Sequence, residues 1–278
     1  MPEATPWSAT VVVLCRDNPV QLGPTLDSAL AQSFPDGATP EILVVDGSRD
    51  RACAAVARTK TIGEPGARVR YWHEPPQGPY AAMNAAVPLA QGRWLLFLNA
   101  GDAFAAADSL VILVSHAEAL ALAGSPPPAV FGQAWIEPTA DPSDTERRWL
   151  SPDPGVRRIE RWLRHMVPCH QAVLFERHWA LRHPYDSRSG ICADRVIIRR
   201  ALAAAGPGAY RAEPVCRFRL DGVSSALPDL PELKRRWAEP SRRPLERLGE
   251  VGKLLLHPMA PHYSRLMRLR AHWMGLLC

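Results

Sequence analysis

The chain has 278 residues, of which 47% are hydrophobic and 22% are charged, and its formal net charge at pH 7 is +5. These values are typical of a globular protein with one sizeable core, so they exclude a largely disordered chain. The N-terminus lacks the basic and apolar regions of a signal peptide and no apolar run is long enough to span a bilayer, so we expect a cytoplasmic protein.

Cysteine spacing argues against two classes of small stabilised fold. The chain has no Cys-x-x-Cys pair and no Cys/His cluster with the spacing of a zinc site, so the sequence predicts neither a structural metal nor a disulfide framework. We expect most of the thiols to be small buried hydrophobic side chains. The six are Cys15, Cys53, Cys169, Cys192, Cys216 and Cys278.

The basic character is concentrated at the C-terminus, in residues 228–278, which we call the basic tail. Residues 229–278 hold ten Lys/Arg and five Asp/Glu, so their net charge equals that of the whole chain. Basic clusters alternate with Trp and Leu, a pattern typical of an amphipathic helix that lies on an anionic membrane surface. The alternative is a solvated helix packed on the domain. No nucleic-acid motif accompanies the charge, so we expect no nucleic-acid partner.

Short apolar runs alternate with helical segments along the first hundred residues. This alternation predicts an α/β fold, with a mixed, mainly parallel sheet flanked by helices and joined by right-handed crossovers. No Gly-x-Gly-x-x-Gly follows the first strand, which counts against a dinucleotide-binding domain. The predicted strands are Thr10–Leu14, Glu41–Val45, Val69–Trp72 and Trp94–Leu98, and the predicted helices are Pro24–Ser33, one from Ser48 or Asp50 to Thr59, and Tyr80–Ala90.

Polar side chains follow two of these strands. Asp46 ends the second, and Asn99-Ala-Gly-Asp102 ends the fourth. Ligands of open α/β sheets collect at the carboxyl ends of strands, where a carboxylate can hold a divalent cation against a phosphate or accept hydrogen bonds from a base or ribose. The alternatives are a simple polar turn at 99–102 and, after Asp46, a loop in which Ser48 or Asp50 caps the next helix.

Several blocks in the same order resemble family 2 glycosyltransferases of the GT-A fold, most closely the branch that acts in exopolysaccharide (colanic-acid-like) and glycolipid synthesis. The resemblance covers roughly residues 8–226 and implies a glycosyltransferase domain over 1–227, with a nucleotide-sugar half at about 8–105 and an acceptor half at about 106–227. The blocks are 11–14, 26–32, 41–48, 78–84, 90–102, His170–Gln171, Ala193–Asp194 and 218–225.

The resemblance implies an inverting, hexosyltransferase-type reaction. A sugar would pass from a nucleotide diphosphate sugar, expected to be a UDP-sugar, to a hydroxyl of a saccharide or lipid-linked acceptor. Mg²⁺ or Mn²⁺ would stabilise the leaving diphosphate, with Asp102 as its ligand. Relatives usually carry Asp-x-Asp here, whereas this chain has Asn99 and one carboxylate, a form that the most similar branch shares.

The resemblance also implies roles for other side chains. Asp194 would be the general base, at a helix start that favours its ionised form; the alternative is a helix N-cap. Tyr80 and Asn84 would line the donor pocket or anchor its helix. Asn99, His170 and Gln171 would also contact the nucleotide sugar. His170 would contact the diphosphate or the metal, or instead pack beside the predicted strand Ala172–Phe175.

Two rival functions follow from the same residues. The missing second carboxylate suggests a catalytically degenerate partner subunit that only binds sugar nucleotides. A nucleotidyltransferase shares the sheet architecture, but the chain lacks the early glycine-rich loop and basic residue that would grip a triphosphate, so this function ranks last. With a lipid-linked acceptor, the basic tail would hold the enzyme on the inner face of the cell membrane.

Overall fold

The fold is seen in a computed structural model. It describes residues 8–34, 38–61, 68–124, 126–137, 148–151, 167–186 and 193–219. The basic tail lies outside the described residues, as does the domain boundary at residue 227, so both stay predictions. Among the described helices, none has the length and apolar character needed to cross a bilayer.

Nine strands in the described ranges form a single sheet in the order β3-β2-β1-β4-β8-β6-β9-β5, with β7 paired to β6. Neighbours among β1 to β4 run parallel, and β8 is antiparallel to both β4 and β6. The predicted mixed, mainly parallel sheet is confirmed. The strands are β1 (Ala9–Cys15), β2 (Glu41–Asp46), β3 (Val69–His73), β4 (Trp94–Asn99), β5 (Ala103–Phe104), β6 (Ala129–Glu137), β7 (Trp149–Leu150), β8 (Val173–Glu176) and β9 (Tyr210–Arg219).

Helices cover both faces of the sheet. One face packs against α1, α2 and α4, and the other packs against α3, α5 and α6. The strands of a sheet buried on both sides are apolar throughout, which is why β1, β2 and β4 read as short continuous apolar runs. The helices are α1 (Pro19–Leu30), α2 (Ala54–Thr61), α3 (Pro79–Leu89), α4 (Ser109–Leu122), α5 (Arg177–Arg182) and α6 (Ala193–Ala205), with 3-10 turns at His170–Ala172 and Pro207–Ala209.

Two helix starts differ from the predictions. Helix α1 begins at Pro19 and not at Pro24, because the Asn18 side chain accepts a hydrogen bond from the Gln21 N–H and caps the first turn. Pro24 therefore lies inside the helix. Helix α2 begins at Ala54, so the interpretation of Ser48 or Asp50 as its cap is wrong.

A buried carboxylate ties the amino ends of the strands together. Glu41 of β2 accepts hydrogen bonds from the hydroxyl of Thr10 in β1 (2.6 Å) and from the N–H of Gln91 before β4 (2.7 Å). Arg70 of β3 forms an ion pair with the same carboxylate. A buried charge is tolerated when it is paired and hydrogen-bonded, so Glu41 links four consecutive strands of the sheet.

Gly92 allows the closest approach in this network. Its N–H donates to the Thr10 hydroxyl (2.8 Å). A Cβ at position 92 would lie 2.4 Å from the carbonyl carbon of Ala9 and 2.5 Å from the backbone nitrogen of Thr10. Backbone atoms cannot rotate away as a flexible side chain can. The start of β4 therefore requires glycine.

We expect Gly92→Ala to lower the free energy of unfolding by about 2–4 kcal/mol, because β4 must move away from β1 to admit the methyl group. Gly124→Ala is the matched control, since a Cβ there meets no atom within 4 Å. It should change stability by about 0.5 kcal/mol or less. Urea denaturation of both variants measures the difference, and equal effects would show that the close approach is not a constraint.

Candidate functional site

The turn after β4 holds Asp102 against Asn99. Oδ2 of Asp102 accepts hydrogen bonds from the backbone N–H of Asn99 (3.1 Å) and from its side-chain amide (3.2 Å). Gly101 has a φ of +111°, a left-handed conformation that favours glycine and lets the chain turn back. The polar turn of the alternative interpretation is present, and it fixes the Asp102 carboxylate at the carboxyl end of β4; the metal-ligand role of Asp102 stays a prediction.

Helix α1 and strand β9 support the turn from either side. The Thr25 hydroxyl of α1 donates to the carbonyl oxygen of Asp102 (2.7 Å) and accepts from the N–H of Gly101 (2.9 Å). In β9, the backbone N–H of Arg219 donates to Oδ1 of Asp102 (3.3 Å). Both oxygens of this buried carboxylate are thus oriented by the surrounding backbone.

The donor atoms of this turn fit a hard divalent cation. Because the amide nitrogen of Asn99 faces Asp102, its amide oxygen faces another direction. Mg²⁺ binds through one or two carboxylates together with substrate phosphates and waters, and Mn²⁺ shares its preference for oxygen ligands. The Asp102 carboxylate beside the Asn99 amide is a donor set of this kind.

Asp194 is the second residue of α6, and it is half-buried. The prediction that it opens this helix is confirmed, but it is not the N-cap, because Ala193 is already helical. Burial raises the pKa of the Asp194 carboxyl and outweighs hydrogen bonds from the Arg195 N–H and the Tyr80 hydroxyl, which lower it. The net shift of the Asp194 pKa is therefore opposite to the one expected from the helix start, because burial has the larger effect.

Tyr80 lies in the first turn of α3 and contacts Asp194 through the hydroxyl hydrogen bond. Its ring stacks on that of Tyr185, with 5.6 Å between centroids and 18° between the ring planes. The sequence did not single out Tyr185, which lies in the segment before α6. Stacking restricts the rotation of the Tyr80 ring, and so fixes the direction from which its hydroxyl meets the carboxylate.

Asn84, one turn along α3 from Tyr80, holds Tyr185 in place by two hydrogen bonds. Its amide nitrogen donates to the carbonyl oxygen of Tyr185 (2.9 Å), and its amide oxygen accepts from the Tyr185 N–H (2.8 Å). The Asn84 amide thus bonds both backbone groups of Tyr185, as a neighbouring β-strand would. Asn84 thus anchors the segment that carries Tyr185, and its contact with a donor stays a prediction.

His170 is buried in the 3-10 turn before β8. Its Nε2 lies 2.7 Å from the Tyr185 hydroxyl, and its ring packs against Phe97 and Phe175, with centroid distances of 5.4 and 5.8 Å. Burial lowers the pKa of His170 from 6.5 to about 4, so the imidazole is neutral at pH 7. These contacts agree with the alternative interpretation, in which His170 packs beside the strand that follows it. A contact of His170 with diphosphate or metal stays a prediction.

Gln171, the next residue, contacts a pair of cysteines. Its Oε1 accepts from the thiol of Cys169 (3.1 Å), which also hydrogen-bonds Cys216 of β9. Burial raises the pKa of Cys216, and Cys169 and then the charge of Asp102 raise it further. The turn that carries His170 and Gln171 therefore contacts Tyr185 on one side and the Cys169–Cys216 pair on the other.

A series of contacts links Asp194 to strand β4, which carries the Asp102 turn at its end. Asn99, which holds the carboxylate of the β4 turn, lies two residues after Phe97 and so on the same face of the strand. Phe97 packs edge-on against Tyr185 at 6.0 Å, Tyr185 stacks on Tyr80, and Tyr80 bonds Asp194. Asp194 is therefore linked by these contacts to the strand that ends in the Asp102 turn.

Asp46 lies at the end of β2, where its carboxylate accepts four hydrogen bonds. Its Oδ1 accepts from the N–H (2.9 Å) and the hydroxyl (2.5 Å) of Ser48, and its Oδ2 accepts from the Cys53 N–H (3.2 Å) and the Tyr71 hydroxyl (2.8 Å). Burial alone would raise the pKa of Asp46, but these hydrogen bonds hold it below its ordinary value. A role for Asp46 in binding a base or ribose stays a prediction.

The family model for glycosyl transferase family 2 matches residues 10–179, more than half of the chain. The chain belongs to glycosyl transferase family 2. The match includes β1 to β4 and the 3-10 turn of His170, and it ends before Asp194. It therefore covers the Asp102 side of the site described above.

Curated relatives come from mycobacteria. The PGL/p-HBAD biosynthesis glycosyltransferases of Mycobacterium bovis and Mycobacterium tuberculosis are 32% identical over 174 residues, which cover 61% of this chain. The aligned region spans 59% of the length of those relatives. The similarity thus concerns a little more than half of each protein.

Solved structures share the fold. Staphylococcus aureus TarS (residues 1–349, with UDP) matches with a TM-score of 0.55 at 13% identity, over 92% of this chain and 72% of that one. The mannosyltransferase PcManGT of Pyrobaculum calidifontis, with GDP-Man and Mn²⁺, matches with a TM-score of 0.55 at 18% identity, over 96% and 75%. These matches confirm the predicted GT-A fold.

The neutral, buried His170 makes stability depend on pH. We expect the free energy of unfolding to fall by about 2 kcal/mol between pH 7 and pH 5 through His170 alone. The unfolded chain protonates this histidine near 6.5, whereas the folded chain resists protonation down to about 4, so acid favours the unfolded state.

Urea denaturation at pH 7, 6 and 5 tests this. His170→Gln should flatten the pH dependence by that amount. His178→Gln, at an exposed position, should leave it as in the parent chain. An unchanged slope in His170→Gln would contradict the assignment of a neutral imidazole.

Proposed function

We propose that the chain is an inverting glycosyltransferase. It moves a hexose from a nucleotide diphosphate sugar, with a UDP-sugar as the expected donor, to a hydroxyl of a saccharide or lipid-linked acceptor in cell-surface polysaccharide or glycolipid synthesis. One observation carries the proposal: contacts through Tyr80 and Tyr185 link Asp194 to Phe97 of β4, the strand whose carboxyl end carries the Asp102 turn. Family membership supports the same activity.

What the similar proteins bind supports the donor and the ion. TarS structures contain UDP or UDP-GlcNAc, PcManGT contains GDP-Man and Mn²⁺, and GalNAc-T7 contains UDP, GalNAc and Mn²⁺. The shared chemistry is a nucleoside diphosphate, in several cases with a divalent cation. The PGL/p-HBAD relatives act in a biosynthetic pathway, which agrees with a biosynthetic glycosyl transfer.

Asp194 is assigned as the general base. As the acceptor oxygen attacks the anomeric carbon, its proton passes to the Asp194 carboxylate, while the bond from that carbon to the diphosphate breaks on the opposite face and the configuration inverts. The raised pKa makes Asp194 a stronger base than an exposed aspartate. The Tyr80 hydroxyl holds one side of the carboxylate in a fixed direction.

Asp102 and Asn99 are assigned to the ion. A bound Mg²⁺ or Mn²⁺ would supply positive charge that stabilises the departing diphosphate. The turn itself is held in advance by Thr25 and by the backbone of Arg219, so the carboxylate needs little rearrangement on binding. Asp46, at the carboxyl end of β2, is assigned to the base or ribose of the donor.

A partner subunit without catalytic activity is the second candidate. The single carboxylate in the turn at 99–102 favours it, because relatives usually carry two. In that case Asp102→Ala would leave the cellular function intact. Loss of function in this variant, at normal protein levels, would rule the second candidate out.

The basic tail is assigned to membrane attachment. Its Lys/Arg clusters would attract it to the anionic cytoplasmic leaflet, and its Trp and Leu side chains would enter the interface. The attachment would bring the domain to a lipid-linked acceptor.

Asp194→Asn should abolish transfer while sparing donor binding. We expect kcat to fall by about 10²–10⁴-fold, because the amide cannot accept the proton. Turnover of a panel of UDP- and GDP-sugars with Mn²⁺ gives the rate, and calorimetry with UDP gives the affinity. Failure of the parent chain to bind or turn over any donor would refute the proposed function.

Asp102→Asn, in contrast, should weaken donor binding in the presence of metal. We expect the affinity for UDP in the presence of Mn²⁺ to fall by about 10- to 100-fold, since the cation loses its charged ligand. Without metal, parent and variant should bind UDP equally weakly. Equal affinities with Mn²⁺ would remove Asp102 from the metal site.

The acid limb of the pH–rate profile should follow Asp194. Because burial raises its pKa, activity is expected to decline at a higher pH than an ordinary aspartate would give, as acid protonates the base. Tyr80→Phe removes a hydrogen bond that lowers this pKa, so the limb should move to still higher pH. Tyr71→Phe is the matched control: it removes a hydroxyl bonded to Asp46 and should leave the limb in place.

A further inference from the structure

We propose that Cys15, Asp46 and Cys53 form a binding site for a thiophilic divalent cation such as Zn²⁺. Their ligand atoms, two sulfurs and a carboxylate oxygen, lie within 4.8 Å of one another, and all three residues are buried. Among the described residues no other group of three such ligands comes together. The site is separate from the Asp102 turn and takes a different class of ion, because thiolates favour zinc over magnesium or manganese.

The backbone already brings the three residues together. Cys15 and Asp46 are register partners at the ends of the parallel strands β1 and β2. Cys53, just before α2, donates its backbone N–H to Oδ2 of Asp46 (3.2 Å). In a tetrahedral zinc site the ligand atoms are roughly 3.5 Å apart. Side-chain rotations that move these atoms by about 1 Å would therefore bring them to the distances of a zinc site.

The surroundings match those of metal ligands in proteins. Ligating carboxylates are themselves hydrogen-bonded, and Asp46 accepts from the Tyr71 hydroxyl and the Ser48 N–H. The backbone N–H of Asn18 bonds the sulfur of Cys53. Such contacts orient the ligands before any ion binds.

Ser48 completes the cluster. Its hydroxyl lies 2.5 Å from Oδ1 of Asp46 and 4.0 Å from the sulfur of Cys53. The Asp17 N–H donates to the same serine oxygen (2.7 Å), so a neutral oxygen is held beside the three ligands. Binding displaces the thiol protons to water, so two thiolates and one carboxylate would surround the ion.

Occupancy of this site would affect the end of β2. The ion would link β1, β2 and the segment before α2, and it would fix Asp46, the side chain assigned above to the donor's base or ribose. Because Cys53 and Asp46 are fully buried, we expect the ion to enter while the chain folds and not by later exchange.

Metal content gives the direct test. The full chain is expressed in zinc-supplemented medium, purified without chelator and analysed for zinc by mass spectrometry. We expect about one zinc per chain. The same preparation from cadmium-supplemented medium should show the ultraviolet thiolate-to-metal charge-transfer band.

Cys15→Ser and Cys53→Ser should each lose the band and most of the zinc. Cys216→Ser is the matched control, because its thiol is also buried beside a second cysteine, Cys169, but has no such third ligand within the described residues. It should keep both signals. The basic tail carries Cys278 and three histidines of its own, but it is identical in every variant, so its contribution is constant across the series.

Three results would overturn the proposal: a parent chain without zinc or cadmium, equal metal loss in Cys216→Ser, or an intact mass two hydrogens lower with Cys15 and Cys53 joined as a disulfide. None of these readouts uses glycosyl transfer. A metal-free chain that still turns over donor would leave the proposed function standing, and a zinc-containing chain without turnover would leave this site standing.

Discussion

The buried Glu41 carboxylate at the amino end of the sheet is the constraint on which the site depends. Together with Thr10 and the close approach at Gly92, it sets β4 against β1 in one register, with Leu14 opposite Asn99. A strand shifted by one residue would point its alternate side chains to the opposite face. The positions of Phe97 and of the turn at 99–102 therefore follow from contacts made at the far end of the same strand.

The alternation of apolar runs and helices was enough to predict the parallel half of the fold. Strands β2, β3 and β4 end within one residue of their predicted ends, because buried parallel strands carry a continuous apolar signal. Helix α1 shows the limit of local rules. Proline favours a first turn, but two prolines compete there, and the Asn18 cap decides between them through one hydrogen bond.

The site was predictable where it follows strand ends and not where it depends on tertiary contacts. Asn99 and Asp102 are neighbours along the chain, and their contact could be expected. Tyr185 meets Asn84 across 101 residues, and no local pattern marks a tyrosine that will be held this way. The direction of the Asp194 pKa shift was also beyond the sequence, since a helix start and burial act in opposite senses and only packing decides which is larger.

Strand β9 supplies the last contact of the Asp102 carboxylate, from a backbone N–H that lies 117 residues further along the chain. During synthesis, β1, α1 and β4 leave the ribosome long before β9 does. A nascent chain can form the Thr25 and Asn99 contacts early. The hydrogen bond to Oδ1 of Asp102 forms only after β9 has been synthesised. The contact of Oδ1 with β9 can therefore form only at a late stage of biogenesis.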